Sequence, residues 1–154
     1  MPDAPDSVPS GARPRPIRAV AGSDAPSWAV GDDDAPRADI APALQISNGI
    51  VALHKRYLGR GPKNIRTHFT GDLVVVLMSG ALTAVERTLK DEGYEDAVLD
   101  QRRAFQSAME ERFKAVVSET TGRDVLALLS ANHVDPDLAL ETFVLGDRVA
   151  DTDV

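Results

Sequence analysis

Asn64-Ile65-Arg66-Thr67-His68-Phe69-Thr70 and Leu73-Val74-Val75-Val76-Leu77-Met78-Ser79 are two β-type runs separated only by Gly71-Asp72. Two such runs around a two-residue turn containing glycine read as an antiparallel hairpin. The second run is nearly continuous in apolar side chains, which predicts a central strand buried on both faces. A hairpin of this kind needs further strands beside it and helices against it. The flanking sequence supplies both.

Upstream, Ile40, Ala43, Leu44, Ser47, Ile50, Val51, His54, Tyr57 and Leu58 recur at three- and four-residue intervals. This spacing predicts an amphipathic helix with Asp39 as N-cap and Gly59 as its stop. Downstream, Gly80 breaks the second strand. Thr83 and Glu86 then form a capping-box pattern, with Thr83 as N-cap and the Glu86 side chain reaching back. The short helix that follows is expected to turn Val85 and Leu89 inward and to end at Gly93.

A long helix is expected over about 95–120. Its inward face reads Val98, Arg102, Phe105, Ala108, Met109, Arg112, Phe113, Val116 and Val117, with Gly122 as the residue just past its end. Two strands follow, 124–134 and 139–145, joined by Asp135-Pro136-Asp137, which is turn chemistry. The leading part of the first, Val125 to Leu129, fits a helical period as well. The order α-β-β-α-α-β-β makes an α+β fold, a four-stranded, mostly antiparallel sheet with helices packed on one face.

Residues 1–38 hold seven of the ten prolines and the run Asp32-Asp33-Asp34, with only Trp28 and scattered Ile and Val to bury. So little apolar surface cannot offset chain entropy, and a disordered Pro/Asp-rich tail is expected there. The folded domain is expected over 39–146 and a polar tail over 147–154. The first residues lack the basic and apolar regions of a secretory signal. The apolar run Leu73–Met78 is far short of the roughly 20 residues of a membrane-spanning helix. No span is expected, and the expected location is cytoplasmic, with peripheral membrane contact open.

Apolar residues make up 43% of the 154 residues but aromatics only 5%, so the core must be aliphatic. The absence of cysteine excludes disulfides, thiolate metal sites and cysteine nucleophiles. His54, His68 and His133 show no ligand spacing, and no metal site is expected. Asp96 and Asp100 share a helix face at i, i+4, a spacing that usually marks solvent-facing surface. Neither a nucleophile elbow nor a Walker loop is present. No catalytic residue and no cofactor can be named, and the chain reads as non-enzymatic.

Charge is the informative asymmetry. The net charge is −7, yet residues 40–71 contain no acid and five bases, whereas residues from Asp72 onward carry a balance of −9. Either the two halves pair, or the basic segment binds an anion or an acidic partner. The loop Gly59-Arg60-Gly61-Pro62-Lys63 with Arg56 and Arg66 is the candidate surface. Its glycines permit close backbone approach to an anion, and its cations supply charge. The structural alternative is a helix stop and a rigid turn that launches the first strand. Overall acidity argues against nucleic acid as a ligand.

Taken in order, Tyr57-Leu58-Gly59-Arg60-Gly61-Pro62-Lys63 and Gly80-Ala81-Leu82-Thr83-Ala84-Val85-Glu86 resemble the MpsC-like family. So do Arg102-Arg103, Thr121-Gly122-Arg123-Asp124-Val125, Asp135 and Glu141-Thr142-Phe143-Val144-Leu145. The resemblance spans about 41–146, and the sequence departs from the pattern in its proline-rich N-terminus and in a shortened segment around Gly93. It implies a small accessory subunit of a bacterial membrane-potential-generating system linked to cation and inorganic-carbon movement. It brings no established catalytic residues, and it suggests that Thr83 and Glu86 serve capping.

Two functions are therefore expected in competition. One is a non-enzymatic accessory or regulatory protein of a membrane ion or inorganic-carbon transport system. The alternative is a phosphate- or nucleotide-recognising regulatory domain using the basic loop. A homodimer through the long helix is expected alongside either.

Overall fold

The structure, a computed structural model, describes residues 37–147, with side chains from Ala41 onward. The tails expected at 1–38 and 147–154 lie almost entirely outside the described residues, as do Trp28 and the Asp32-Asp33-Asp34 run. Three helices and four strands follow in the expected order: α1 (Arg37–Leu58), β1 (Asn64–Thr70), β2 (Leu73–Ser79), α2 (Ala84–Asp91), α3 (Glu95–Thr121), β3 (Val125–His133) and β4 (Leu138–Leu145). The helix start is the first correction. Asp39 lies within the first turn of α1 and does not cap it.

The hairpin has the expected bounds, Thr70 opposite Leu73 and Asn64 opposite Ser79, and Gly71 supplies the positive φ of 57° that its turn needs. β4 returns beside β2, and β3 forms the far edge, giving the antiparallel order β1-β2-β4-β3. Leu128 stands opposite Phe143 and Ser130 opposite Glu141, so the ambiguous segment at 125–129 is strand, with a register shift between Val125 and Ala127. Pairing with β4 overrides its helical period.

α1 and α3 lie across one face of this sheet. Val74, Val76 and Met78 of β2 and Ala139 and Phe143 of β4 meet Ile46, Ile50, Met109, Phe113 and Val117 of the helices. Each large apolar side chain fully buried here contributes about 1.5–3 kcal/mol. α1 buries Ser47, Ile50 and His54 of its expected face but is turned slightly from the expected phase. Ile46 is buried, whereas Leu44 is 59% exposed and Tyr57 is 41% exposed. In α3, Ala108 and Arg112 fall on the solvent side of the expected face. Gly122 ends α3 in the left-handed conformation, φ 67°, its N–H bonded to Ser118 O at 2.8 Å.

β2 is central but not buried on both sides. Its helix-facing residues are buried, while Val75 and Leu77 are half-buried and Leu73 is exposed on the opposite face. No described helix covers that face.

Candidate functional site

Gly59, with φ 78°, turns the chain out of α1 and leaves Arg60 pointing back toward the segment that connects β2 to α2. The Arg60 guanidinium donates to Gly80 O and Leu82 O, both at 3.0 Å. Its donors thus hold backbone carbonyls, and Arg60 braces the approach to α2. A Cβ at Gly61 would lie 3.1 Å from Val51 Cγ1, so the loop is packed tightly onto α1.

Lys63 bonds Ser79 O through its own N–H at 3.0 Å and lays its stem across Gly80. Arg56 is set apart on α1, its guanidinium 5.3 Å from the Tyr57 ring centre, with Arg112 at 5.1 Å from the same ring. Arg66 stands on β1 opposite Leu77, on the face away from the helices. Of the six candidate residues only Lys63 reaches the groove that lies beside Gly80, while Arg60 braces the carbonyls of Gly80 and Leu82, Gly61 packs on α1, and Arg56 and Arg66 stand elsewhere.

The groove has a volume of ≈ 370 Å³ and is walled by Lys63 with Arg87 and Lys90 of α2, and by Asn64, Pro136 and Asp137. Asp137 accepts from Leu82 N at 2.9 Å through Oδ2, and its main-chain oxygen accepts from Gly80 N at 3.3 Å. Its Oδ1 is buried without a hydrogen-bond partner among the described residues. Three cations beside an oxygen that lacks a donor suit a group that is anionic overall but also carries an N–H or O–H.

Gly80 in the groove wall leaves room for the Lys63 stem. It has φ +66°, and a Cβ there would sit 2.7 Å from Lys63 Cβ and Cγ. Gly80→Ala should cost about 1–2 kcal/mol for the left-handed backbone alone, before Lys63 is displaced. Urea denaturation will read this, and an unchanged midpoint would contradict it.

Beneath α2 and α3 lies a second constellation, buried and polar. Thr83 caps α2 as expected, its Oγ1 accepting from Glu86 N at 3.2 Å. The Glu86 side chain does not reach back. It points into the protein, 1% exposed, and takes the Arg102 Nε–H at 2.9 Å. Val85 is correspondingly turned out, 63% exposed, correcting the expected phase of α2.

Glu141 of β4 completes the group, likewise 1% exposed. Gln106 Nε2 donates to its Oε1 at 2.9 Å, and the Ser130 hydroxyl donates to Oε2. Asn132 Nδ2 in turn donates to Gln106 Oε1 at 2.9 Å. Burial pushes the Glu141 carboxyl up to about 7, against the opposing effect of the Ser130 and Gln106 bonds and the Arg102 charge.

His54 lines the same space. Its Nδ1–H donates to Ile50 O at 2.9 Å and its ring stacks on Phe113, 5.6 Å between centres. Burial lowers its pKa, so the neutral imidazole is the stable form. These groups enclose a cavity of ≈ 20 Å³, about the room one water needs. Among the described residues no group of three or more His, Asp or Glu could hold a metal ion.

The basic loop is legible as composition; Glu86 reads as a cap, and its buried grouping with Arg102 and Glu141 is not legible from local pattern. Its signal was present all the same. Glu141 occupies an inward register position between Ala139 and Phe143, and Arg102 interrupts the apolar stripe of α3.

The family model for the Na+-translocating membrane potential-generating system (MpsC) matches residues 43–147. No curated protein and no solved structure matches the chain. The match runs from the second turn of α1 through β4 and takes in both the groove and the buried trio, so the chain belongs to the MpsC family.

Proposed function

We propose that this chain is a non-enzymatic accessory or regulatory protein of a bacterial membrane system that moves ions or inorganic carbon, working from the cytoplasmic side of the membrane. The family match over residues 43–147 carries the reading. None of the described helices is long and apolar enough to cross a membrane, and in this reading a partner supplies the path for the ion. The titratable groups support regulation better than catalysis: Glu141 and His54 are buried among packed side chains around a cavity of about one water's volume.

Contact is assigned to the groove of Lys63, Arg87 and Lys90, facing an acidic segment of the partner. Arg60, a mainstay of the sequence-based anion site, acts from behind by holding residues 80–82 in place. The test is affinity capture of the tagged chain from gently solubilised membranes of its native host, read by mass spectrometry. Recovery of an integral membrane transporter is expected, with at least a tenfold loss in the triple variant Lys63→Glu, Arg87→Glu, Lys90→Glu, since each ion pair lost at an interface typically costs about 1–2 kcal/mol. Equal recovery by both forms would remove the groove from the proposal. Recovery of no membrane protein would remove the accessory role itself.

A further inference from the structure

We infer that the face of the sheet that no described helix covers pairs with the same face of a second copy, forming a homodimer with the helices of both copies on the outside. The observation is a departure from how one-sided antiparallel sheets are built. Such sheets alternate apolar toward the helices and polar toward water. β1 obeys this rule, with Asn64, Arg66, His68 and Thr70 on the outer face. β2 and β4 do not.

Registered pairing places Leu73 beside Val144, Val75 beside Thr142, and Leu77 beside Leu140 on that face, and β3 adds Leu129 next to Thr142. Leu73 is 36% and Leu129 62% exposed. The result is a contiguous apolar strip along the middle of the sheet, bordered by polar β1. An apolar centre with a polar rim is the layout of an interface, not of a solvated face.

Charge indicates that the occupant is a second copy. An isologous contact sets a patch against itself, so any charge at its centre would meet its own like. The outer residues of β2 and β4 are all uncharged. The basic residues of this face lie on the two edge strands, Arg66 and His68 on β1 and His133 on β3. A two-fold axis running along the strands, between β2 and β4, lays β2 over the partner's β4 and β1 over the partner's β3. Arg66 and His68 then face Ala131 and Leu129 rather than their own copies. An axis across the strands would stack β1 on β1 and is disfavoured.

Size is compatible. Four strands ~4.8 Å apart and seven residues of ~3.4 Å rise span on the order of 500 Å² per copy. Two copies reach about 1,000 Å², the lower bound for a specific interface, so the dimer should be concentration-dependent. The long helix is a poorer candidate for self-pairing. Its outer surface carries Asp100, Arg103 and Glu111, with side chains 74%, 68% and 90% exposed. Pairing through the sheet would also bury β2 on its second side, which its unbroken apolar run anticipates.

The experiment is light scattering with size separation, on the full chain over a micromolar to millimolar series. The mass should rise from 16.5 kDa toward twice that value. Leu73→Lys and Leu129→Lys, chosen because both sites are exposed in the single copy, should hold the mass at the monomer value and leave the circular dichroism spectrum unchanged. In a chain without cysteine, Thr142→Cys should give a dimer band with a short bismaleimide, and Ser107→Cys on α3 should not. A wild-type chain that stays monomeric throughout would overturn the inference. So would a dimer that survives both lysine variants or crosslinks through Ser107→Cys.

Discussion

Replacing Glu86 by alanine is expected to destabilise the domain by about 3–5 kcal/mol, because it strands a buried cation. Arg102 has 11% of its side chain exposed and Glu86 2%, with Arg102 Nε and Glu86 Oε2 2.9 Å apart. Both charges left water to meet, and neither can rehydrate without opening the contact between α2 and α3. A loss of that size lowers Tm by at least roughly 10 °C in a domain of this length. Deleting one partner is the severe case; deleting both is not. Glu86→Leu with Arg102→Met removes the charges together and should recover most of the loss, since packed apolar side chains commonly match a buried ion pair. Urea denaturation of the two single variants and the double gives the coupling directly. A cost under about 1 kcal/mol for Glu86→Ala would mean that the pair is hydrated in solution and weak, as exposed pairs are.

What the sequence disclosed and what it hid divide along one physical line. The hairpin of β1 and β2 was legible to the residue, because alternation and turn chemistry are local. The ends of α1 and α3 at Gly59 and Gly122 were legible for the same reason: both glycines have positive φ. Helix phase was not. A stripe that takes in Leu44 and Tyr57 beside Ser47, Ile50 and His54 fits α1 nearly as well as one that takes in Ile46, and only packing against α3 and the sheet selects Ile46.

α2 misled more completely. Over eight residues, Val85 outweighs Glu86 on any hydropathy argument, and the ion that draws Glu86 inward lies sixteen residues further on. The basic segment was visible as charge but not as geometry. Arg60 serves backbone carbonyls, while Arg87 and Lys90 reach the groove from a helix that composition assigned to the acidic half. Tertiary partners thus decided every point on which the local reading failed.

Glu141→Gln should act in the opposite direction from Glu86→Ala, and its effect should depend on pH. In the folded protein burial raises the Glu141 carboxyl from 4.5 to about 7. Between those values the native state binds a proton that the unfolded chain has released. Its contribution to stability is therefore fully present below about 4.5 and is lost as pH rises through about 7. A shift of this size corresponds to about 3 kcal/mol.

Glutamine keeps the shape, can still accept from Gln106 and pair with Ser130, and carries no charge to desolvate. The variant should lie within about 1 kcal/mol of the wild type at pH 5 and exceed it by about 3 kcal/mol at pH 8. His54 sets the other limb. Its depressed pKa means that protonation is resisted in the fold, so its contribution is present above 6.5 and is lost as pH falls through the lowered value. The wild type should consequently be most stable between the two limbs, and Glu141→Gln should retain only the acid limb, with a plateau above it. Urea midpoints at pH 5 and pH 8 decide the matter. A variant that is weaker at both values would show that Glu141 is ionised and fully compensated in the fold, with Arg102 serving it as well as Glu86.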